Sequence, residues 1–241
     1  TYWVRFNHKG FTHADAIGNI KTLFECAKAA GVKKIVHVSI TNPDIDSELE
    51  YFSRKAELEK HLIALGVNYS ILRPAVIFGD EDVLINNVAW GLRHAPAMLI
   101  FGDGSYRLQP IFVDDLAQLA VREGAKPESS IVNAIGPETF TYREVIDCIA
   151  ERIGVHRPII PLPPKLAYAI FKVMGWCMSD MILTREEIQG LMDDLLHVDS
   201  PPAGTTRLSD WISEHADTLG KRYANELTRR RDRRTSYANK P

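Results

Sequence analysis

Between residues 13 and 79 the chain switches repeatedly between two hydrophobic periods, and that alternation restricts it to very few folds. HADAIGNIKTLFECAKAAG (13–31) places apolar residues at helical spacing, with Thr12 positioned to cap the helix and Gly31 to close it. VKKIVHVSI (32–40) contracts to a β-branched run, Ile35-Val36-His37-Val38, that ends at Ser39. TNPDIDSE (41–48) is turn chemistry broken by Asn42-Pro43. From Glu50 to Leu65 the helical period returns through Tyr51, Leu58, Leu62 and Leu65, with Gly66 as its stop. VNYSILRPAVIFG (67–79) reads as a second buried strand, interrupted at Pro74. Helix, strand, helix, strand predicts an α/β fold with a parallel sheet and helical crossovers. Ser39 then stands at the carboxyl end of a strand, where such sheets bind ligands.

Tyr51 and Lys55 follow Ser39 on the next helix, one turn apart, so their Cβ atoms lie about 5–6 Å from each other. A free tyrosine, with a pKa of about 10, is a poor acid or base at neutral pH. A neighbouring cation favours the phenolate, and such a phenol can exchange a proton with a carbonyl or alcohol oxygen. The spacing alone is cheap, because Tyr168 and Lys172 repeat it inside LAYAIFKVMGW without a preceding strand or serine. The strand and turn ahead of Tyr51 are what distinguish it. Thr41 and Ser47 are alternatives for the place of Ser39, which also suits a simple turn cap.

The chain has 241 residues, 45% of them hydrophobic and 25% charged, with a net charge of −2, so no polyanionic partner is indicated. Cys26, Cys148 and Cys177 are widely separated, which fits a reducing compartment and no metal site. The most apolar stretch, 166–178, is too short and carries a lysine, so no membrane span is expected. Residues 220–241 hold eight Lys/Arg against two acids. Such a tail can touch nucleic acid or anionic lipid, but reads first as a solvated end, and no nucleic-acid partner is expected.

The carboxyl half predicts a helix through Leu84, Val88, Ala89 and Leu92, then a short strand before Gly102. Asn86, Asn87 and Trp90 of that helix either face a pocket or pack inertly. Asp114 and Asp115 begin a helix over 114–124 and read as cap and dipole partners rather than a catalytic pair. Arg107 and Gln109 are better placed for substrate. Helices are expected at 164–175, from a Thr184/Glu187 capping box through Leu196, and at 208–220.

The helix bearing Asn19, the strand IVHVS, Tyr51-x-x-x-Lys55, ILRPAVIFG, GDGSYRLQPIFVDDLAQLAV (102–121) and IVNAIGPETFTYREVIDCIAERIG (131–154) together resemble the extended or atypical short-chain dehydrogenase/reductase superfamily. Within it the likeness is to NAD(P)-binding epimerase/dehydratase-like proteins and to the nucleotide-holding accessory subunit of respiratory complex I. The resemblance implies a Rossmann-like doubly wound parallel sheet over 1–78 and 109–136, a smaller, mostly helical substrate lobe over 79–108 and 137–220, and a basic tail over 221–241. It implies Tyr51 as proton donor and acceptor, Lys55 holding the nicotinamide ribose and lowering the Tyr51 pKa, and Ser39 steadying the substrate oxygen. Asn19 would order the site or a relay water, and the Pro74-Ala75-Val76 backbone would approach the carboxamide. Arg107, Gln109 and Asn87 would meet the substrate.

Two departures qualify the likeness. Many extended members end the strand with Arg-Pro-x-Asn, whereas this chain has Arg73-Pro74-Ala75-Val76. The Gly-rich turn that seats a dinucleotide pyrophosphate is absent, and the chain starts at Thr1-Tyr2-Trp3-Val4, which reads as a strand end. The expectation is a piece lacking about three preceding βα units, inactive alone and exposing a sheet edge. The implied activity is oxidoreduction, or epimerase or dehydratase chemistry, on a small-molecule substrate with NADP or NAD, in the cytoplasm, with a homodimer common in the superfamily. The alternative is a non-catalytic NAD(P)H-binding scaffold or redox sensor.

Overall fold

The computed structural model describes residues 6, 7 and 10–231. The strand expected at Thr1–Val4 and the tail beyond 231 lie outside them. Among the described residues the first helix or strand is α1 (His13–Ala29), whose capping box is complete: Thr12 Oγ1 accepts from the Asp15 N–H, and the Asp15 carboxylate accepts from the Thr12 N–H. Next come β1 (Lys34–Val38), α2 (Glu50–Ala64), β2 (Asn68–Pro74), β3 (Val76–Phe78), α3 (Leu84–His94) and β4 (Met98–Phe101). β5 (Arg107–Leu108), β6 (Pro110–Phe112), α4 (Val113–Ala125), β7 (Ser130–Ala134), β8 (Phe140–Thr141) and α5 (Tyr142–Ile153) follow. The chain continues through β9 (Ile159–Leu162), α6 (Pro164–Met178), α7 (Arg185–Met192), α8 (Leu208–His215) and α9 (Glu226–Arg231).

The central sheet runs β1-β2-β7, all parallel, with Val38 opposite Leu72 and Leu72 opposite Val132. Both faces are covered, as the near-continuous apolar strands require. On one face Ala16, Ile17, Ile20 and Phe24 of α1 meet Leu58 and Leu62 of α2 over Ile71. On the other, Leu116 and Leu119 of α4 close over Leu72, Ala134 and Ile111. A larger core joins Phe78, α3, Ile100, α5 and the Trp211 and Ile212 of α8. The sheet breaks at Ala75, after Pro74, which has no N–H to give. β1 nevertheless continues its pairing beyond Val38, with Ser39 N–H donating to Leu72 O at 2.7 Å and Thr41 N–H to Pro74 O at 3.1 Å.

Three carboxyl-terminal expectations need correction. α7 stops at Met192 rather than Leu196, because Asp194 turns left-handed at φ +59. α8 stops at His215, and Gly220, at φ +71, passes directly over the α3 backbone, where a Cβ would lie 2.4 Å from Trp90 N. The stretch taken wholly as a tail includes α9.

Candidate functional site

Ser39, Tyr51 and Lys55 come together where β1 ends and α2 begins. Ser39 is 3% exposed, and its Oγ has no hydrogen-bond partner among the described residues. A buried hydroxyl without a partner is costly and rare. Lys55 is 2% exposed, and its Nζ donates to the Val38 carbonyl at 3.1 Å. The ammonium also sits 5.5 Å from the centroid of the Tyr51 ring. Burial pushes Lys55 down to about 7, against the opposing attraction of the Glu59 carboxylate one turn later. Glu59 is itself buried and takes a bidentate pair from Arg73. Behind the lysine, His37 packs edge-on against Phe24 at 5.3 Å and is pushed down to about 3 by burial and then by the Lys55 charge.

Tyr51 is half-buried as a residue, with its phenol end deep, against His13 and Phe52. Its hydroxyl is pushed up to about 12, first by burial and then by the Glu187 carboxylate. This reverses the expected activation. Lys55 meets the ring, while a carboxylate from α7 acts on the oxygen, so the phenol is held protonated. The neighbouring Glu186 Oε2 lies 3.4 Å from the Tyr51 backbone N–H, which donates to it. Neither glutamate was identified from the sequence as belonging here. The only signal was the Thr184 capping box, which does form, and it says nothing about a tyrosine 136 positions away.

Other expected residues separate from this centre. Asn19 is exposed, off the α1 face buried by His13, Ala16, Ile17, Ile20 and Phe24. Arg107 is held by Asp194, with Nε donating to Oδ2 at 2.7 Å. Gln109 is 5% exposed and spent on Val198, giving Nε2 to its carbonyl at 3.0 Å and accepting its N–H at 2.9 Å. Asn87 exchanges the same pair of bonds with Ala224, both at 2.9 Å, and Asn86 and Trp90 likewise hold segment 220–224. These contacts tie the side chains to remote parts of the chain. Asp115 also departs from its expected capping role, accepting from Thr205 N–H and Thr206 N–H, both at 2.7 Å. Pro74 is buried, and Ala75 and Val76 are half-buried, at the strand break beside the site. No cluster able to hold a metal occurs among the described residues, nor a helix long and apolar enough to cross a membrane.

No family model matches the chain. Among curated proteins it is similar to the mitochondrial NADH-ubiquinone oxidoreductase 40 kDa subunit of Neurospora crassa, 26% identical over 184 residues covering 75% of this chain and 48% of that protein. It is also similar to mouse mitochondrial NADH dehydrogenase (ubiquinone) 1 alpha subcomplex subunit 9, 27% identical over 203 residues, 80% of this chain and 52% of that protein. The chain thus spans about half the length of these relatives. Among solved structures it matches the NADPH-dependent quinone oxidoreductase QOR2 of Escherichia coli, in complex with NADPH, at a TM-score of 0.66 and 23% identity, covering 83% of this chain and 71% of that one. The fold is Rossmann-like α/β, and the chain resembles the extended short-chain dehydrogenase/reductase type in the branch that includes the complex I subunit. The cytoplasmic location expected from the sequence is overturned by these relatives, which are mitochondrial proteins.

Proposed function

We propose that the chain belongs to a non-catalytic NAD(P)H-binding protein that scaffolds a mitochondrial respiratory assembly, and that it supplies the nicotinamide end of the nucleotide site. The observation that carries this reading is the likeness to complex I subunits over three quarters of the chain or more. The state of Tyr51 supports it, since a phenol held near 12 beside a carboxylate is a poor proton relay at neutral pH. The residues fit a nicotinamide nucleotide: Ser39 offers a buried Oγ in need of a partner, and Lys55 brings an amine donor beside it at the strand's end. In this reading Lys55 holds the ribose hydroxyls, Ser39 takes a polar edge, and the Pro74–Val76 backbone flanks the ring. A bound nicotinamide supplies a hydride donor or acceptor, which here serves retention or redox sensing rather than turnover.

The test is a titration of NADPH and NADH against the protein expressed from its complete gene, read by quenching of tryptophan fluorescence. At least one nucleotide should bind, and Tyr51→Phe should change that affinity by less than about twofold, because in this reading Lys55, Ser39 and the Pro74–Val76 backbone hold the nucleotide, and loss of one further hydrogen bond would cost roughly 1 kcal/mol. Failure of both nucleotides to bind defeats the proposal. A substrate turned over by the native protein and lost in Tyr51→Phe would instead establish the enzyme reading, which the presence of all three of Ser39, Tyr51 and Lys55 favours.

A further inference from the structure

The segment from Thr184 to Val198 lies across the Ser39–Tyr51 site and is fastened there by contacts on several separate elements. At its start, Glu186 accepts from the Tyr51 N–H, and the Glu187 charge acts on the same tyrosine. In its middle, Gly190 passes so close to α2 that a Cβ would lie 3.1 Å from the Phe52 ring and 3.6 Å from Leu49. Past the helix, the Leu195 carbonyl accepts from both Thr41 Oγ1 and Asn42 Nδ2 at 2.9 Å, and the His197 carbonyl accepts from Asn42 as well. Asp194 pairs with Arg107, and Gln109 bonds Val198 in both directions.

Thr41 and Asn42 lie two and three residues after Ser39, and Phe52 immediately follows Tyr51, so the attachments bracket Ser39 and Tyr51. The contact also carries backbone strain. Asn42 at φ +48 and Asp194 at φ +59 both adopt the left-handed conformation, and they stand on opposite sides of the same contact. Such conformations persist where the surroundings over-determine them, as the converging bonds do here.

We propose that residues 184–198 form a latch over the substrate side of the Ser39–Tyr51 site, keeping a second reactant away from whatever occupies the nucleotide side. The inference rests on the non-catalytic reading above and supplies its structural cause. The Rossmann half can hold a nicotinamide, while the lobe that in an enzyme would admit a substrate is closed down on the tyrosine.

The latch is tested without nucleotide. Ser39→Cys places a thiol beneath it, whose reaction with iodoacetamide is followed by mass spectrometry of that peptide, with exposed Cys26 as the internal reference. With the latch intact the thiol should react at least about tenfold more slowly than Cys26. Thr41→Val with Asp194→Asn removes two fastenings while retaining a residue that tolerates the left-handed turn. Gly190→Leu instead wedges α7 from Phe52. Either change, in protein still folded by circular dichroism, should raise the rate at least about tenfold. Equal reactivity with Cys26 in the native latch, or unchanged protection in every folded opening variant, overturns the proposal. NADPH titration of protein with the native Ser39 reports separately on the nucleotide reading, so the two failures are distinguishable.

Discussion

Gly136→Ala lowers the stability of this protein by about 3 kcal/mol or more, the upper end of what overpacking a well-filled site costs. Gly136 follows β7 and runs against the strand β6, where an added Cβ would lie 1.9 Å from the Pro110 carbonyl oxygen and 3.0 Å from its carbon. The obstacle is backbone rather than the tip of a flexible side chain. β6 cannot retreat easily, since it pairs in parallel with β3 and its Ile111 is fully buried between α4 and the sheet. The neighbouring Ile135 carbonyl holds Ala203 N–H at 2.9 Å and Gly204 N–H at 3.1 Å, so displacing this turn also loosens the crossing toward α8. Urea unfolding should show a lower midpoint with little change in slope. Gly18→Ala is the control: this glycine lies inside α1 with nothing within 4 Å of the added methyl, and the substitution should stabilise by about 0.5–1 kcal/mol. Similar outcomes at the two glycines would show that the close approach to Pro110 does not exist.

The second large effect is a pH dependence centred on Lys55. Its folded pKa of about 7 lies below the ordinary 10.5, so between these values the unfolded chain binds a proton that the folded chain does not. Stability therefore rises with pH across that window, by about 1.4 kcal/mol per unit and about 5 kcal/mol in all, and the gain is lost as pH falls to 7. Below pH 7 both states carry the charge and this contribution is flat. Lys55→Met keeps the stem and removes the charge, so its unfolding free energy should lack that rise. Comparing the two proteins cancels the tyrosines, which titrate alike in both backgrounds apart from Tyr51. A wild-type profile parallel to that of Lys55→Met from pH 7 to 10 would mean that the ammonium is well solvated and the site open.

His37 adds the same sign of effect at acid pH. Pushed down to about 3 from 6.5, it costs stability as pH falls through that range, because the unfolded imidazole takes up a proton that the buried one refuses. His37→Leu should flatten the acid limb of the stability profile.

Much of the local architecture was legible along the chain. The α1 and α7 capping boxes join residues three apart, and the β-branched run before Ser39 carries its own strand signal. These features act over one turn of backbone, so neighbours in sequence suffice to specify them. The convergence of Ser39, Tyr51 and Lys55 follows from the same logic, because a strand, a turn and the first turn of a helix place them together.

What the sequence by itself determined, then, was the alternation of helices and parallel strands and the presence of a hydroxyl, a phenol and an ammonium at one strand end. The tertiary structure decided what those groups are. Arg107, Gln109 and Asn87 became fastenings because Asp194, Val198 and Ala224, between 87 and 137 positions later, reach them first. Tyr51 became a weaker acid first because packing buries its hydroxyl and then because Glu187, 136 positions later in α7, brings its charge to bear on it. The protonation state of a buried group reflects all charges and water within a few ångströms, and only packing decides which parts of the chain share that volume.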